Sequence, residues 1–295
     1  MASATRVDAR AFRPRIERSH VLSSPSWLTE RDDAICLDLH EHRVLTTMQL
    51  TGLHFEDVRR ARRRLLILHR KGVVERFRPY RPRGSAPHHY ILGEVGARVV
   101  AATHGLDLRI IKQRMERDLY LMLNPRLDHL LEVNDFFVRL IKECRNSPDY
   151  DLSRWWGERR CAGAIPTSVH PDGLGRLTSF GTSCTFLLEL DRGTERGDRL
   201  RRKLLSYGRL GRRREKPNAI VFLFHTERRE RATRAKLELD IGIRVATSHR
   251  DLHEANPLGR NWLPIAEERR RSLVDLVMSA PSPLLGDQLE PGAQR

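Results

Sequence analysis

Apolar residues recur every three or four positions through the first half of the chain, and gather into short unbroken runs in the second. The first pattern predicts helices and the second predicts buried strands. Thr29 opens a helical stretch, LTERDDAICLDLHEH, with acids in its first turn where the helix dipole favours them. Residues 44–50 read as a short second helix, ended by Gly52. A third helix spans residues 55–70 and stops at Lys71-Gly72. Val58, Ala61, Leu65 and Leu68 share one of its faces and predict the buried side, while Arg59, Arg60 and Arg63 lie opposite. Arg62 and Arg64 read as ordinary solvated helix charges. Residues 73–77 and 89–92 predict two strands around the basic turn Arg81-Pro82-Arg83-Gly84. Residues 93–123 are helical with a break near Gly105, and residues 127–144 form another helix after Asn124-Pro125. On that helix His129 and Asn134 read as structural hydrogen-bonding residues.

In the second half strand and helix alternate. Residues 185–190 predict a buried strand that ends in Glu189-Leu190-Asp191. Gly193-Thr194 follows, with Thr194 suited to cap the next helix. Leu200, Leu204 and Tyr207 share one face of that helix, and Lys203 sits on its margin. Upstream, the sequence HPDG puts Asp172 in or beside a turn. Residues 219–224 predict a strand, 227–239 a helix and 244–247 a last strand. This alternation implies an α/β domain with a central mixed sheet, part of it parallel. Trp155 and Trp156 read as core or lid residues.

The chain has 295 residues, enough for two domains. The expected boundaries are a flexible arm over 1–24, a first domain over 25–105, a helical connector over 106–146, a second domain over 147–265, and a charged helix with a tail over 266–295. The formal net charge is +16, and it is not spread evenly. Residues 51–100 carry 12 basic and 4 acidic side chains, and residues 201–250 carry 15 and 5. Two basic windows imply two surfaces that face a polyanion. Cys36, Cys144, Cys161 and Cys184 are too far apart for a Cys-x-x-Cys zinc half-site and read as buried thiols of a cytoplasmic protein. The longest apolar run, residues 219–224, is far short of a membrane span. No G-x-G-x-x-G or P-loop fingerprint is present. Arg228, Arg229, Arg231 and Arg234 crowd the start of the 227–239 helix, where the dipole disfavours cations, and this argues for a phosphate nearby.

Residues 27–92, with LTTMQLTGLHF and RRRLLILHRKGVVERF, resemble a winged helix-turn-helix domain. The resemblance implies that the third helix enters the major groove of double-stranded DNA and that the hairpin grips the backbone. Arg59, Arg60, Arg63, Arg81 and Arg83 would then contact phosphates. The order of Asp172, Glu189 and Lys203 resembles the PD-(D/E)xK nuclease superfamily. That resemblance implies Mg²⁺ or Mn²⁺ held by Asp172 and Glu189, with Asp191 or Glu158 completing the shell. Asp191 stands where the superfamily has its lysine, so Lys203 would act from the helix. A plainer reading makes Glu189 and Asp191 the solvated end of a core strand, Lys203 an exposed helix residue, and Glu158 a surface partner of Arg159 or Arg160.

Taken together, LTTMQLTGLHF, WWGERR, HPDG, FLLELDRGTE, RLRRKLLSY, RRE at 228–230, and VATS with PLGRNWLP resemble the replication-relaxation family of actinobacterial type. This implies a DNA-binding protein of a plasmid or integrative element, without a membrane and with homodimerisation left open. Three readings of the protein stand side by side: a DNA-binding protein with a metal-dependent nuclease domain, a non-enzymatic initiator or accessory factor with a degenerate nuclease fold, and a winged-helix transcription regulator with a sensor domain.

Overall fold

The computed structural model describes residues 26–80, 84–121, 124–165, 168, 170–193, 197–211 and 216–278. The expected arm over 1–24 lies outside them, as do Arg81, Arg83, Thr194 and the tail beyond Met278. Among the described residues, eleven α-helices and nine β-strands form a mixed α and β architecture. The chain divides into two compact units, Met1–Asn134 and Asp135–Arg295.

In the first unit, α1 (Glu30–His42) starts at Thr29. The Asp32 carboxylate accepts the Thr29 backbone N–H at 2.8 Å, and the Thr29 hydroxyl accepts from Asp32 N, which satisfies two donors at the helix start. The second helix begins later than its apolar run. Residues Leu45–Thr46 form β1 instead, and Thr46 caps α2 (Thr47–His54), which continues through Gly52. Helix α3 (Val58–Arg70) is capped by Asp57, whose Oδ1 accepts Arg59 N at 2.7 Å and Arg60 N at 2.9 Å. Ala61, Leu65 and Leu68 are fully buried, as the periodicity requires, and Val58 is half-buried. Strands β2 (Val74–Phe77) and β3 (His89–Leu92) pair antiparallel, and the sheet order is β1-β3-β2.

Arg64 is not a solvated helix charge. It leaves α3 to pair with Asp32, which is completely buried on α1. Burial pushes the Asp32 carboxyl up, but bonds from Arg64 and Thr29 outweigh it and hold the group below the usual carboxylate range. Helices α4 (Glu94–His104), α5 (Leu108–Leu121) and α6 (Arg126–Arg145) follow, with left-handed Gly105 ending α4. Asn134 donates to the carbonyls of His42 and Val44 at 3.2 and 2.9 Å, the structural role its position implied.

The second unit is built on a six-stranded mixed sheet in the order β4-β5-β6-β7-β8-β9. Its elements are β4 (Tyr150–Gly157), α7 (Glu158–Ala164), β5 (Gly173–Ser179), β6 (Thr182–Asp191), α8 (Gly197–Gly211), β7 (Ala219–Phe224), α9 (Glu227–Arg234), β8 (Arg244–His249), α10 (Arg250–Ala255), β9 (Leu263–Pro264) and α11 (Leu273–Met278). β4, β5 and β6 pair antiparallel, β6, β7 and β8 pair parallel, and β9 returns antiparallel. The parallel pairs need crossover helices, and α8 and α9 supply them. Leu200, Leu204, Tyr207 and Leu210 of α8 pack on Leu187, Ile220, Phe222 and Phe224. An aromatic group built on Phe136, Phe137, Phe186 and Trp262 forms a second packed cluster. Trp155 and Trp156 belong to strand β4, and Trp156 is buried in the α8 cluster. All four cysteines are buried and unbridged. No helix among the described residues is long and apolar enough to cross a membrane.

Candidate functional site

Strands β5 and β6 bring the two acids together. Gly173 pairs with Leu188, so one further step along the ladder sets Asp172 opposite Glu189. Asp172 Oδ2 accepts the backbone N–H of Leu190 at 2.8 Å, which fixes that carboxylate against β6. Because side chains alternate along a strand, Glu189 shares the face of Leu187, the face that α8 covers. Lys203 Nζ donates to Glu189 Oε2, and Tyr207 Oη donates to Glu189 Oε1. Lys203 and Tyr207 stand one turn apart on α8 and so reach the same carboxylate.

Glu189 is only 2% exposed. Burial pushes its carboxyl up to about 8, with the Asp172 charge adding to the rise and Lys203 pulling against it. Burial likewise raises the Tyr207 phenol, and Glu189 and Asp172 add to it. The phenol serves here as a hydrogen-bond donor to Glu189. A carboxyl this deeply buried ionises only with a cation beside it, and Lys203 supplies one.

Asp191 lies two residues along β6 and takes a different partner. Its Oδ2 accepts Arg229 Nε at 2.9 Å and Arg229 Nη2 at 2.8 Å, and its Oδ1 accepts Gly193 N at 2.6 Å. Glu158 is the first residue of α7 and is exposed. It follows Gly157, which pairs with Gly173, so it leaves the β4–β5 pair at the same end as Asp172. Among the described residues, no group of three or more His, Cys, Asp or Glu side chains converges as a metal cage. Asp172 and Glu189 are the pair that would hold a hard divalent cation. Two carboxylates suit such an ion when phosphate and water oxygens complete its shell.

Three arginines of the α9 run find partners within the protein. Arg229 takes Asp191, Arg231 takes Glu227 at 2.5 Å, and Arg234 donates to the carbonyls of Leu263 and Ile265 at 2.8 and 3.0 Å. Glu227 and Glu230 share the first turn of that helix with Arg228 and Arg229, so its start is not purely cationic. Sequence reasoning did not foresee the Asp191–Arg229 pair, because the partners are 38 positions apart. It placed Tyr207 on the buried face but missed its bond to Glu189, although the one-turn spacing from Lys203 carried that signal.

In the first unit, Arg59, Arg60 and Arg63 are exposed on α3 and border an open hollow with Asp57 and Val58. Arg60 also bonds Glu56 at 3.0 Å and meets Asp57 at 3.3 Å, both near the protein surface.

The model of the replication-relaxation family matches residues 37–223, more than half of the chain. The chain belongs to the replication-relaxation family. The matched span runs from α1 through β7 and so contains Asp172, Glu189, Lys203 and the α3 arginines. Membership points to a role in replication or relaxation of DNA. No curated protein and no solved structure matches the chain.

Proposed function

We propose that this replication-relaxation protein binds double-stranded DNA for a plasmid or integrative element, and that its second unit acts on a phosphodiester as a metal-dependent nuclease of PD-(D/E)xK type. The observation that carries the reading is the convergence of Asp172 and Lys203 on buried Glu189, from two adjacent strands and the crossover helix. Asp172 and Glu189 would hold Mg²⁺ or Mn²⁺, which supplies Lewis-acid stabilisation of charge on the phosphate. Lys203 offers a proton donor and a positive charge at the same point. Tyr207 keeps one Glu189 oxygen fixed, so the other is directed at Lys203 and the cation. In the first unit, the order α1, α2, α3 and the β2–β3 hairpin supports a winged helix-turn-helix. Arg59, Arg60 and Arg63 would position it on phosphates, and Arg81 and Arg83, which lie outside the described residues, would add to them.

A second reading has its own support. Both Glu189 oxygens are engaged, and Asp191 is neutralised by Arg229. An acid site closed in this way suits a non-enzymatic initiator or accessory factor that uses the fold to bind. Incubation with supercoiled plasmid and Mg²⁺ or Mn²⁺ separates the two. The nuclease reading expects nicked or linear product from the wild type and none from Asp172→Asn or Lys203→Met. No product from any of the three, with salt-sensitive binding kept, establishes the second reading.

A further inference from the structure

The parallel strands of the second unit end at one edge of the sheet, and that edge continues past the acids of β6. The register runs Asp191, Phe224, His249 across β6, β7 and β8, so these side chains stand in one row on the face that α8 covers. In open α/β sheets, ligands bind in the crevice outside the carboxyl ends of parallel strands. Asp191 is taken by Arg229, and Phe224 is fully buried. His249 stands at the far end of the row.

The imidazole of His249 is set in place by Glu230 of α9, whose Oε2 lies 2.8 Å from its Nδ1. Glu230 is only 1% exposed, and it also accepts Thr247 Oγ1 at 2.7 Å and Arg270 Nη2 at 2.8 Å. Burial pushes the Glu230 carboxyl up, but bonds from Arg270, His249 and Thr247 outweigh it and hold the group below the usual carboxylate range. An ionised carboxylate only accepts, so Nδ1 carries a hydrogen and Nε2 faces away from Glu230. Nε2 has no hydrogen-bond partner among the described residues, and the His249 side chain keeps 9% of its surface exposed. Helix α9 begins directly after β7, at the same edge, with Thr226 capping it by accepting Arg229 N at 3.2 Å. Its second residue, Arg228, is exposed and makes no ion pair among the described residues, while Glu227 turns to Arg231. A helix start, a guanidinium and a pre-oriented imidazole together suit a phosphate group.

We propose that His249 Nε2 and Arg228 form a phosphate subsite at the β7–β8 end of this edge, where the DNA strand that enters the Asp172 and Glu189 site makes a second backbone contact. The proposal rests on the phosphodiester-facing reading of that site. A phosphate oxygen accepts, so Nε2 carries a proton when it meets one. The phosphate and Glu230 favour the imidazolium, Arg228 and Arg270 oppose it, and β7 sets only Phe224 beside the ring. Binding at the subsite is therefore coupled to uptake of a proton by His249. The contact holds the backbone and reads no bases.

The test follows the ring nitrogens of His249 by NMR in the full chain as a duplex oligonucleotide is added, in chelator so that no strand is cut. Nε2 should move to the position of a protonated nitrogen while Nδ1 remains a donor. This titration uses the wild type, so it decides even where a variant fails to fold. His249→Phe should weaken duplex binding about tenfold, the worth of one charge-assisted hydrogen bond. His249→Gln keeps a donor and should recover part of that loss while flattening the rise of affinity as pH falls, which a merely structural ring would not do. Ring nitrogens that stay put at saturating duplex overturn the subsite, and so does a wild-type pH dependence in His249→Gln. Ring signals that respond to duplex in a protein that never nicks plasmid with Mn²⁺ remove the nuclease reading and keep the subsite. Nicking with unmoved ring signals removes the subsite alone.

Discussion

Tyr207 donates its phenolic hydrogen to Glu189 across 18 positions of sequence, and both side chains are buried. The bond ties the crossover helix α8 to strand β6 at the carboxylate that Lys203 also reaches. Tyr207→Phe keeps the ring in the core and removes only the donor. One Glu189 oxygen is then left without it in a dry environment, at a cost of roughly 1–3 kcal/mol. Urea unfolding followed by circular dichroism should show a lower midpoint at unchanged native signal. An unchanged midpoint would mean that the bond contributes nothing.

A second internal tie lies in the first unit. Arg64→Ala leaves the Asp32 carboxylate buried without its cation, and breaking such a pair costs about 3–5 kcal/mol. Because the Asp32 carboxyl is held low in the folded protein, its contribution is present at neutral pH. It is lost only as pH falls through and below the usual carboxylate range. Unfolding midpoints of wild type and Arg64→Ala should therefore differ widely at pH 7 and converge in strong acid. A gap that stays constant down to that range would contradict the assignment.

Two glycines of β5 are fixed by aromatic rings. A Cβ on Gly173 would lie 2.5 Å from the Phe137 ring, and one on Gly175 would lie 2.3 Å from the Phe186 ring. Those rings cannot swing aside, since Phe137 is stacked against both Trp155 and Phe186 with centroids 5.1 and 6.1 Å away. Gly173→Ala and Gly175→Ala should each lower stability by about 1–3 kcal/mol through overpacking. Thermal unfolding checks this, and a wild-type midpoint in either variant would show that the sheet relaxes freely.

How much of this was legible in the sequence follows from where each signal lay. The helices of the first unit and the buried faces of α3 and α8 were carried by local periodicity, as Leu65 and Leu204 illustrate. Strand β5 was not. Its hairpin to β6 turns at Phe180-Gly181, with φ of 45° and 77°, where a short-range hairpin signal would place Asn-Gly or Asp-Gly. Without β5, the HPDG turn had no strand to lead, and its glycine gave no sign of meeting Phe137. The acids and Lys203 were recognisable by residue type and order. The partners of Asp191 and Arg64 depend on pairings between distant segments, which no local pattern encodes.

Acid should weaken both units through one buried and one half-buried histidine. Burial holds His253 down at about 4, where it stacks on Phe136 with centroids 4.3 Å apart. His88 is also held at about 4, by burial and by the charges of Arg78 and Arg76. Both values lie below the usual 6.5, so the unfolded chain binds more protons between these limits. The stability they contribute is complete above about pH 6.5 and declines as pH falls towards 4. His253→Phe should flatten that decline for the second unit, by roughly 3 kcal/mol across the window. A decline of the same size in the variant would assign it to other groups.

The central claim is that Asp172 and Glu189 share one divalent cation beside DNA. Calorimetric titration of Mn²⁺ into the full chain with bound duplex measures it directly. The account predicts a single saturable site in the wild type, weakened at least about tenfold by Asp172→Asn or by Glu189→Gln, since even outer partners of a metal ligand are worth 10–100-fold. Equal Mn²⁺ affinity in all three proteins, or no saturable binding by the wild type, would contradict it.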